Sequence, residues 1–356
     1  MGDQPIRVLF NIWADEDNFN AQSLNAREIV LRLDPMRFRS TLFAQHPDPR
    51  LVGAPGVRLV HLPSRLRSLV MMRELLWSQH HVLVYPPIDI LGAPYRRLRR
   101  LGTSPRVVFP IEGTAEQLKG GPSAGLAWLR EADCLVAISP FIAETVERAF
   151  GLRSSVIQLA VDRDRFPATD RGGRGAPLKV LTVASIQPRK RIEAVLDVAA
   201  RIGPGSAEFH VVGDPIGGTS YRDELESQAQ ERGLSHVHLH RAVSQEAISE
   251  WMRRSDVFLL PSRLEGTPRV ILEAAATGLP CVVFADYHTP SVVDGVTGFQ
   301  VSSDDELIQR VEQLVQDQGL RSRLGIEASE LMKGFGWDRV AREWAGLLDS
   351  AAEGRC

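Results

Sequence analysis

Short apolar runs recur along the chain, and most are followed by a stretch with helical periodicity. In the first half the strand candidates are residues 7–12 (RVLFNI), 41–44, 57–62, 81–85, 106–111, 134–139 and 155–161. A Gly-, Pro- and charge-rich stretch follows, DRFPATDRGGRGAP, which reads as a linker. A second alternation then begins, with strands at 178–185, 208–214, 236–240, 256–261 and 281–284. Helices are expected between them at about 192–202, 221–232 and 245–254, and after them at about 304–316. At the end, Val340, Trp344, Leu347 and Leu348 share one helical face. Strand-helix alternation is the pattern of α/β domains with parallel sheets. The expected architecture is two doubly wound domains, 1–165 and 178–336, joined by a linker at 166–177 and followed by a helix over 337–356. A ligand is expected in a cleft near the carboxyl ends of the strands.

The length of 356 residues fits two domains of ordinary size. Apolar content of 44% and charged content of 24% are those of a globular protein, and a net charge of -2 gives no basic footprint for nucleic acid. Cys134, Cys281 and Cys356 are widely spaced, matching neither a disulfide framework nor a zinc site, so a reducing cytoplasm is the simple expectation. The amino terminus reads as a strand rather than a leader, and no stretch reaches the roughly 18 to 20 apolar residues of a membrane helix.

The segment SRLEGTPRVILEAAATG, residues 262–278, raises a chemical question. Pro268 marks a helix start and Gly278 its stop, which leaves Glu273 as the helix's one acidic residue among Val270, Ile271, Leu272 and alanines. A buried carboxylate must become neutral, meet a cation or accept hydrogen bonds from hydroxyl groups; at a helix edge it would simply face water. Gly266 and Thr267 lie where a strand-to-helix turn exposes backbone N–H groups to a phosphate. Glu265 beside them would repel phosphate, so it is better suited to sugar hydroxyls. Arg189, Lys190 and Arg191 follow the strand at 178–185, and basic residues before a helix are unfavourable unless an anion is present. The chain has only four lysines among its 42 basic residues. Phosphate flanked by hydroxyl-binding carboxylates describes a sugar nucleotide.

With VASIQPRK, FHVVGDPIGG, SDVFLLPSRLEGTPRVILEAAATGLPCVV and VVDGVTGFQV in order from about Val180 to Trp337, the chain resembles the carboxyl-terminal domain of retaining, GT-B-fold glycosyltransferases of family 4. The resemblance implies two Rossmann-like domains facing each other across a cleft, the first on the acceptor side, with the last helix crossing back onto it. It implies that Glu273 accepts hydrogen bonds from ribose hydroxyls, Glu265 contacts the transferred sugar, and Lys190 neutralises the leaving phosphate. The turn Gly266, Thr267, Pro268, Arg269 and Val270 would hold the diphosphate, chiefly through the amides of Arg269 and Val270, since Pro268 has none. Ala242 and Val243 would lie against the base, and Ser185, Gly213 and Asn20 would also border the donor. ADCLVAISPFIAETVERAFG and VIQLAVDRDRF fit the family's approach to the linker, with Asp162 and Phe166 in place. Four positions depart from the pattern. Ser185 replaces an arginine, so Arg189 is expected to supply the second charge. FNAQS (19–23) replaces paired glycines, with Asn20 expected in glycine-like backbone angles. Glu112 stands where many members have a histidine, and Arg241 where a glycine precedes the base loop.

The implied reaction needs charge stabilisation on the leaving phosphate, from Lys190, Arg189 and the helix dipole, more than a strong base. Glu112 is the candidate for positioning the acceptor hydroxyl. No metal and no cofactor is expected, and the donor would be a UDP- or GDP-sugar. A glycoside hydrolase using Glu265 and Glu273 leaves the cations unexplained. A nicotinamide enzyme lacks its G-x-G-x-x-G turn. A GT-B-like partner subunit that binds sugar nucleotides without turnover is the alternative, motivated by Ser185 and the missing glycines. The runs RLRSLVMMRELLW (65–77) and YRRLRRLG (95–102) allow a peripheral contact with an acidic membrane face or lipid-linked acceptor. Abundant arginine beside scarce lysine suggests a GC-rich bacterial source, and polysaccharide, lipid-linked and natural-product acceptors all stay open.

Overall fold

The computed structural model describes residues 4–16, 20–63, 65–77, 79–89, 91–99, 105–121, 123–171, 175 and 177–356. Phe19 of the amino-terminal loop, residues 100–102 of the second basic run, and 172–174 and 176 of the expected linker lie outside the described residues. The chain divides into two compact units, residues 1–159 with 337–356, and residues 160–336.

Among the described residues, unit 1 contains seven strands: β1 (Ile6–Trp13), β2 (Phe38–Ala44), β3 (Val57–His61), β4 (Val82–Val84), β5 (Arg106–Ile111), β6 (Cys134–Ala137) and β7 (Ser155–Val156). Its helices are α1 (Ala21–Val30), α2 (Arg67–Trp77), α3 (Gly92–Arg99), α4 (Ala115–Gly120), α5 (Ser123–Glu131) and α6 (Pro140–Phe150). The strands pair in parallel in the order β3-β2-β1-β4-β5-β6-β7. Winding therefore reverses between β1 and β4. The seventh expected strand is only two residues long, because the chain leaves the sheet after Ile157, whose N–H still bonds Ala137 O of β6, and by Val161 it bonds to Phe335 O in unit 2.

Unit 2 contains β8 (Leu178–Val183), α7 (Glu193–Ile202), β9 (Ala207–Val212), α8 (Ser220–Glu231), β10 (Val237–His240), α9 (Gln245–Arg254), β11 (Val257–Leu260), α10 (Arg269–Ala276), β12 (Cys281–Phe284), β13 (Gly298–Val301), α11 (Asp304–Gln316) and α12 (Gln318–Leu331). Its parallel sheet has the order β10-β9-β8-β11-β12-β13. The central strands β11 and β12, VFLL and CVVF, are buried at every position, as sheets covered on both faces require. Sequence periodicity missed β13, whose GFQV carries a glycine and a polar residue, and α12, whose apolar positions form no clear stripe. Residues at the start of the expected linker pack onto unit 2: Phe166 is buried, and Arg171 donates to the carbonyls of Thr277 and Gly278.

The last helix, α13 (Trp337–Ala352), groups with unit 1, burying Trp337, Val340, Trp344 and Leu348. Arg32 lies over the Trp337 ring, and Arg37 pairs with Asp349. Beyond α13, Cys356 is disulfide-bonded to Cys134 of β6. This corrects the reading of the cysteines as unpaired. A separation of 222 residues concealed the pair, since only the return of α13 to unit 1 brings the two ends together. Cys281 is free and buried. Among the described residues no helix is long and apolar enough to cross a membrane.

The end of α10 is packed against α12 with no room for a side chain. A Cβ on Gly325 would sit 2.2 Å from the carbonyl oxygen of Gly278, a backbone atom that cannot rotate away. Gly346 on α13 has nothing within 4 Å of the same point. Gly325→Ala should therefore cost about 1–3 kcal/mol and lower the melting temperature by several degrees. Gly346→Ala should be neutral or stabilise by roughly 0.5–1 kcal/mol through helix propensity. Thermal denaturation of both variants beside the wild type checks the pair; equal melting temperatures would contradict the packing.

Candidate functional site

In unit 2 the winding reverses between β8 and β11, which are hydrogen-bonded neighbours. Loops leaving the carboxyl ends of such strands diverge and leave a crevice between them. After β8 the chain makes a short 3-10 turn, Pro188–Lys190, then enters α7 through Arg191, whose φ is 53°. After β11 it runs through residues 261–268 into α10. The two loops are stitched together. Arg189 donates to Leu264 O at 2.6 Å, Arg191 to Pro261 O at 3.2 Å, and Ser262 to Arg189 O at 3.3 Å.

Glu265 stands at the centre of this contact. Its Oε1 lies 2.5 Å from Lys190 Nζ and 3.0 Å from Arg189 Nη1, and the residue is 6% exposed. One carboxylate oxygen thus holds two cations at the mouth of the sheet. Burial pulls the Lys190 ammonium below its ordinary range and the Arg189 charge adds to that; Glu265 opposes both. Arg191, grouped with these cations by sequence, turns away: it makes two bonds to the Asp304 carboxylate, at 2.9 and 2.8 Å, and lies over the Phe284 ring.

Glu273 is 2% exposed within α10, so it is the buried carboxylate and not an edge residue. Its Oε1 has no hydrogen-bond partner among the described residues, and the nearest cation, Arg269 Nε, is 3.8 Å away, beyond hydrogen-bond length. Burial pushes its carboxyl upward, against the charges of Arg269 and Arg165. Pro268 precedes the helix and supplies no side-chain cap for the first amides. An unsatisfied buried acceptor is costly in a folded protein, and hydroxyl donors from a ligand would satisfy it.

The other expected donor residues lie around the same edge of the sheet. Thr267 is buried, with Oγ1 donating to Gly266 O at 2.8 Å. Val270 is half-buried in the first turn of α10. Ser185 accepts from Gln187 Nε2 at 2.7 Å, directly beyond β8. A Cβ on Gly213 would lie 1.9 Å from Ala184 O, so its bare backbone is what lets the exits of β8 and β9 pass side by side. Val243 is half-buried in the turn between β10 and α9, and Arg241 beside it pairs with Asp214 at 3.0 Å. No pattern in the sequence marks Tyr287, in a turn after β12. It is 1% exposed, its hydroxyl has no partner among the described residues, and its acidity is suppressed by burial first and by the Glu265 charge second.

Asn20 and Glu112 belong to unit 1. Asn20 has φ -68° and ψ 148°, an ordinary extended backbone, and caps α1 by accepting from Ser23 N at 2.8 Å. The glycine-like angles expected there are absent because the residue serves as a helix cap. Glu112 follows β5 and accepts a 2.8 Å bond from the Tyr85 hydroxyl.

Residues 170–331, which carry Arg189, Lys190, Glu265 and Glu273, match the family Glycosyl transferases group 1. The D-inositol 3-phosphate glycosyltransferase of Streptomyces avermitilis is 28% identical over 260 residues, 65% of this chain and 56% of that protein. Its counterpart in Xylanimonas cellulosilytica is 30% identical over 242 residues, 62% and 57% of the two chains. The matched stretch spans little more than half the length of these curated relatives. Sucrose-phosphate synthase from Thermosynechococcus elongatus superimposes with a TM-score of 0.80 at 17% identity, covering 97% of this chain and 98% of that one. Anabaena HepE in complex with UDP-glucose gives 0.78 at 18%, covering 97% and 100%. The fold is accordingly that of the GT-B glycosyltransferase structures, with two parallel-sheet, Rossmann-like α/β units.

Proposed function

We propose that the protein is a retaining glycosyltransferase of family 4 that moves a sugar from a nucleotide diphosphate sugar to an acceptor hydroxyl without a metal. The observation that carries this reading is Glu273: a buried carboxylate in the middle of α10 with an oxygen unpartnered among the described residues, on the helix that follows the loop in which two cations gather on Glu265. Ribose hydroxyls donating to Glu273 would relieve its desolvation. Diphosphate at the amides of Arg269 and Val270 would draw Lys190 and Arg189 from Glu265, leaving that carboxylate to accept hydroxyls of the sugar. The family match and the glycosyltransferase relatives support the chemistry, and the UDP-glucose complex of HepE supports a UDP-sugar donor, with GDP second.

In the transfer, the bond from the anomeric carbon to the phosphate oxygen breaks, and its electron pair leaves on the diphosphate. Lys190 and Arg189 stabilise that charge as fixed donors. The acceptor oxygen bonds the same face of the carbon, and its proton passes to the departing phosphate oxygen. Glu112 would position the acceptor hydroxyl, carried by a polysaccharide, a lipid-linked molecule or a small molecule. Work at the inner face of a bacterial membrane is the setting proposed for it, through the basic runs of α2 and α3.

A thermal-shift and hydrolysis screen against UDP-, GDP-, ADP- and TDP-sugars should show one donor, UDP-linked first, that raises the melting temperature and is slowly cleaved. Lys190→Ala should slow cleavage by roughly 10²–10³-fold, the scale of losing one charge-stabilising donor. The proposal fails if no nucleotide sugar stabilises the protein.

Glu273→Gln separates binding from stability. A carboxyl whose folded value is raised favours the fold below its ordinary value of 4.5, and that contribution is lost as pH rises through the folded value. The wild type therefore carries a penalty at higher pH that glutamine lacks. Glu273→Gln should melt at or above the wild-type temperature at pH 8, yet bind donor roughly 10- to 100-fold more weakly, as expected for lost bonds to a charged acceptor. Melting curves from pH 4 to 8 with donor titrations check this; a variant that is less stable and binds normally would contradict it.

A further inference from the structure

In unit 1 the winding reverses between β1 and β4, and the residue just past β4 is Tyr85. Its backbone is left-handed, with φ 59°, a region that costs a bulky residue on the order of 1–3 kcal/mol and persists only where the surroundings enforce it. They do so here on both sides. Asn11 of β1 donates through Nδ2 to Tyr85 O at 2.9 Å, and the fully buried Trp128 donates through Nε1 to Pro87 O at 2.9 Å, beyond two prolines that stiffen the exit. The product of this constraint is the position of one hydroxyl. Tyr85 is 6% exposed, and its Oη donates at 2.8 Å to Oε1 of Glu112, at the end of the adjacent strand β5.

Core filling alone does not account for the arrangement. A phenylalanine would fill the same space, and a ring at a strand end needs no left-handed backbone. Strain, a buried phenol and a carboxylate converge at the switch point of the sheet, where doubly wound domains bind their ligands. We infer that Tyr85 is a positioning residue that fixes the Glu112 carboxylate for an acceptor hydroxyl, with Asn11 and Trp128 holding the strained turn that aims it. This rests on the glycosyltransferase reading above and adds to it the residue that sets Glu112. The bond from the Tyr85 hydroxyl fixes one oxygen of the carboxylate that would receive the acceptor O–H, and a donor at that oxygen favours the ionised form.

The test is Tyr85→Phe, which removes one oxygen and keeps the ring, with Glu112→Gln beside it and water as the acceptor. Hydrolysis of the stabilising nucleotide sugar is followed from pH 5 to 9, together with the melting temperature with and without donor. The phenylalanine variant should keep its melting temperature and its donor-induced shift. Its kcat should fall about tenfold, and the acid limb of its rate profile should move to higher pH, since the carboxylate has lost a donor that favours ionisation. Glu112→Gln should lose rate without that limb. Wild-type rate and profile in Tyr85→Phe would overturn the assignment, and so would a lower melting temperature with an unmoved profile, which is the mark of a merely structural tyrosine. A wild-type protein stabilised by no nucleotide sugar would instead remove the reading beneath both variants.

Discussion

Glu265 ties together two loops that the topology of the sheet drives apart. Right-handed crossovers from β8 and β11 lead in opposite directions, so the chain ends of these paired strands open a crevice. A crevice lined by a turn rich in cations on one side and a helix start on the other concentrates positive charge, which repels itself unless an anion intervenes. In this structure the anion is the Glu265 carboxylate, holding Lys190 and Arg189 on one oxygen. A carboxylate that neutralises two cations holds the loops together, and under the proposed function a more highly charged diphosphate displaces it. Glu273 is the complementary case. It has no such partner for Oε1 among the described residues, and its burial is a cost that a ligand bearing hydroxyls would offset.

Much of this was legible in the sequence because it depends on local patterns. Apolar runs of four to eight residues marked nearly every strand of unit 2, since a parallel sheet covered on both faces needs them continuous. Pro268 and Gly278 bracketed the helix that carries Glu273, and its apolar neighbours left burial or a water-facing edge open, of which burial is observed. The strand β13 and helix α12 escaped because neither has a stripe or run strong enough to register. Arg191 looked equivalent to Lys190 in sequence, yet one left-handed residue swings it to Asp304 instead. The Cys134–Cys356 bond was invisible for a different reason, because pairing across 222 residues depends on where the last helix docks.

Unit 1 shows the same division between pattern and geometry. Its strands were readable, but the features at its switch point were not. Asn20 suggested an unusual backbone and turned out to be a helix cap, while the unusual backbone is at Tyr85, a residue type that gives no such signal. Strain of that kind is set by contacts from Asn11 and Trp128, far away in sequence. In both units, then, the scaffold follows from periodicity, and the chemistry at the carboxyl edge follows from a few long-range bonds.

Under the proposed function, Glu265 is a resident counter-ion which yields its cations to the donor diphosphate and turns to the sugar. Calorimetric titration of UDP and of a UDP-sugar into wild type and Glu265→Gln tests it most directly. With its competitor neutralised, the variant should bind UDP at least as tightly as the wild type, while losing the added affinity that the sugar provides. Equal weakening toward UDP and the UDP-sugar would contradict the account, because Glu265 would then be needed for the shape of the loops and not for an exchange of partners.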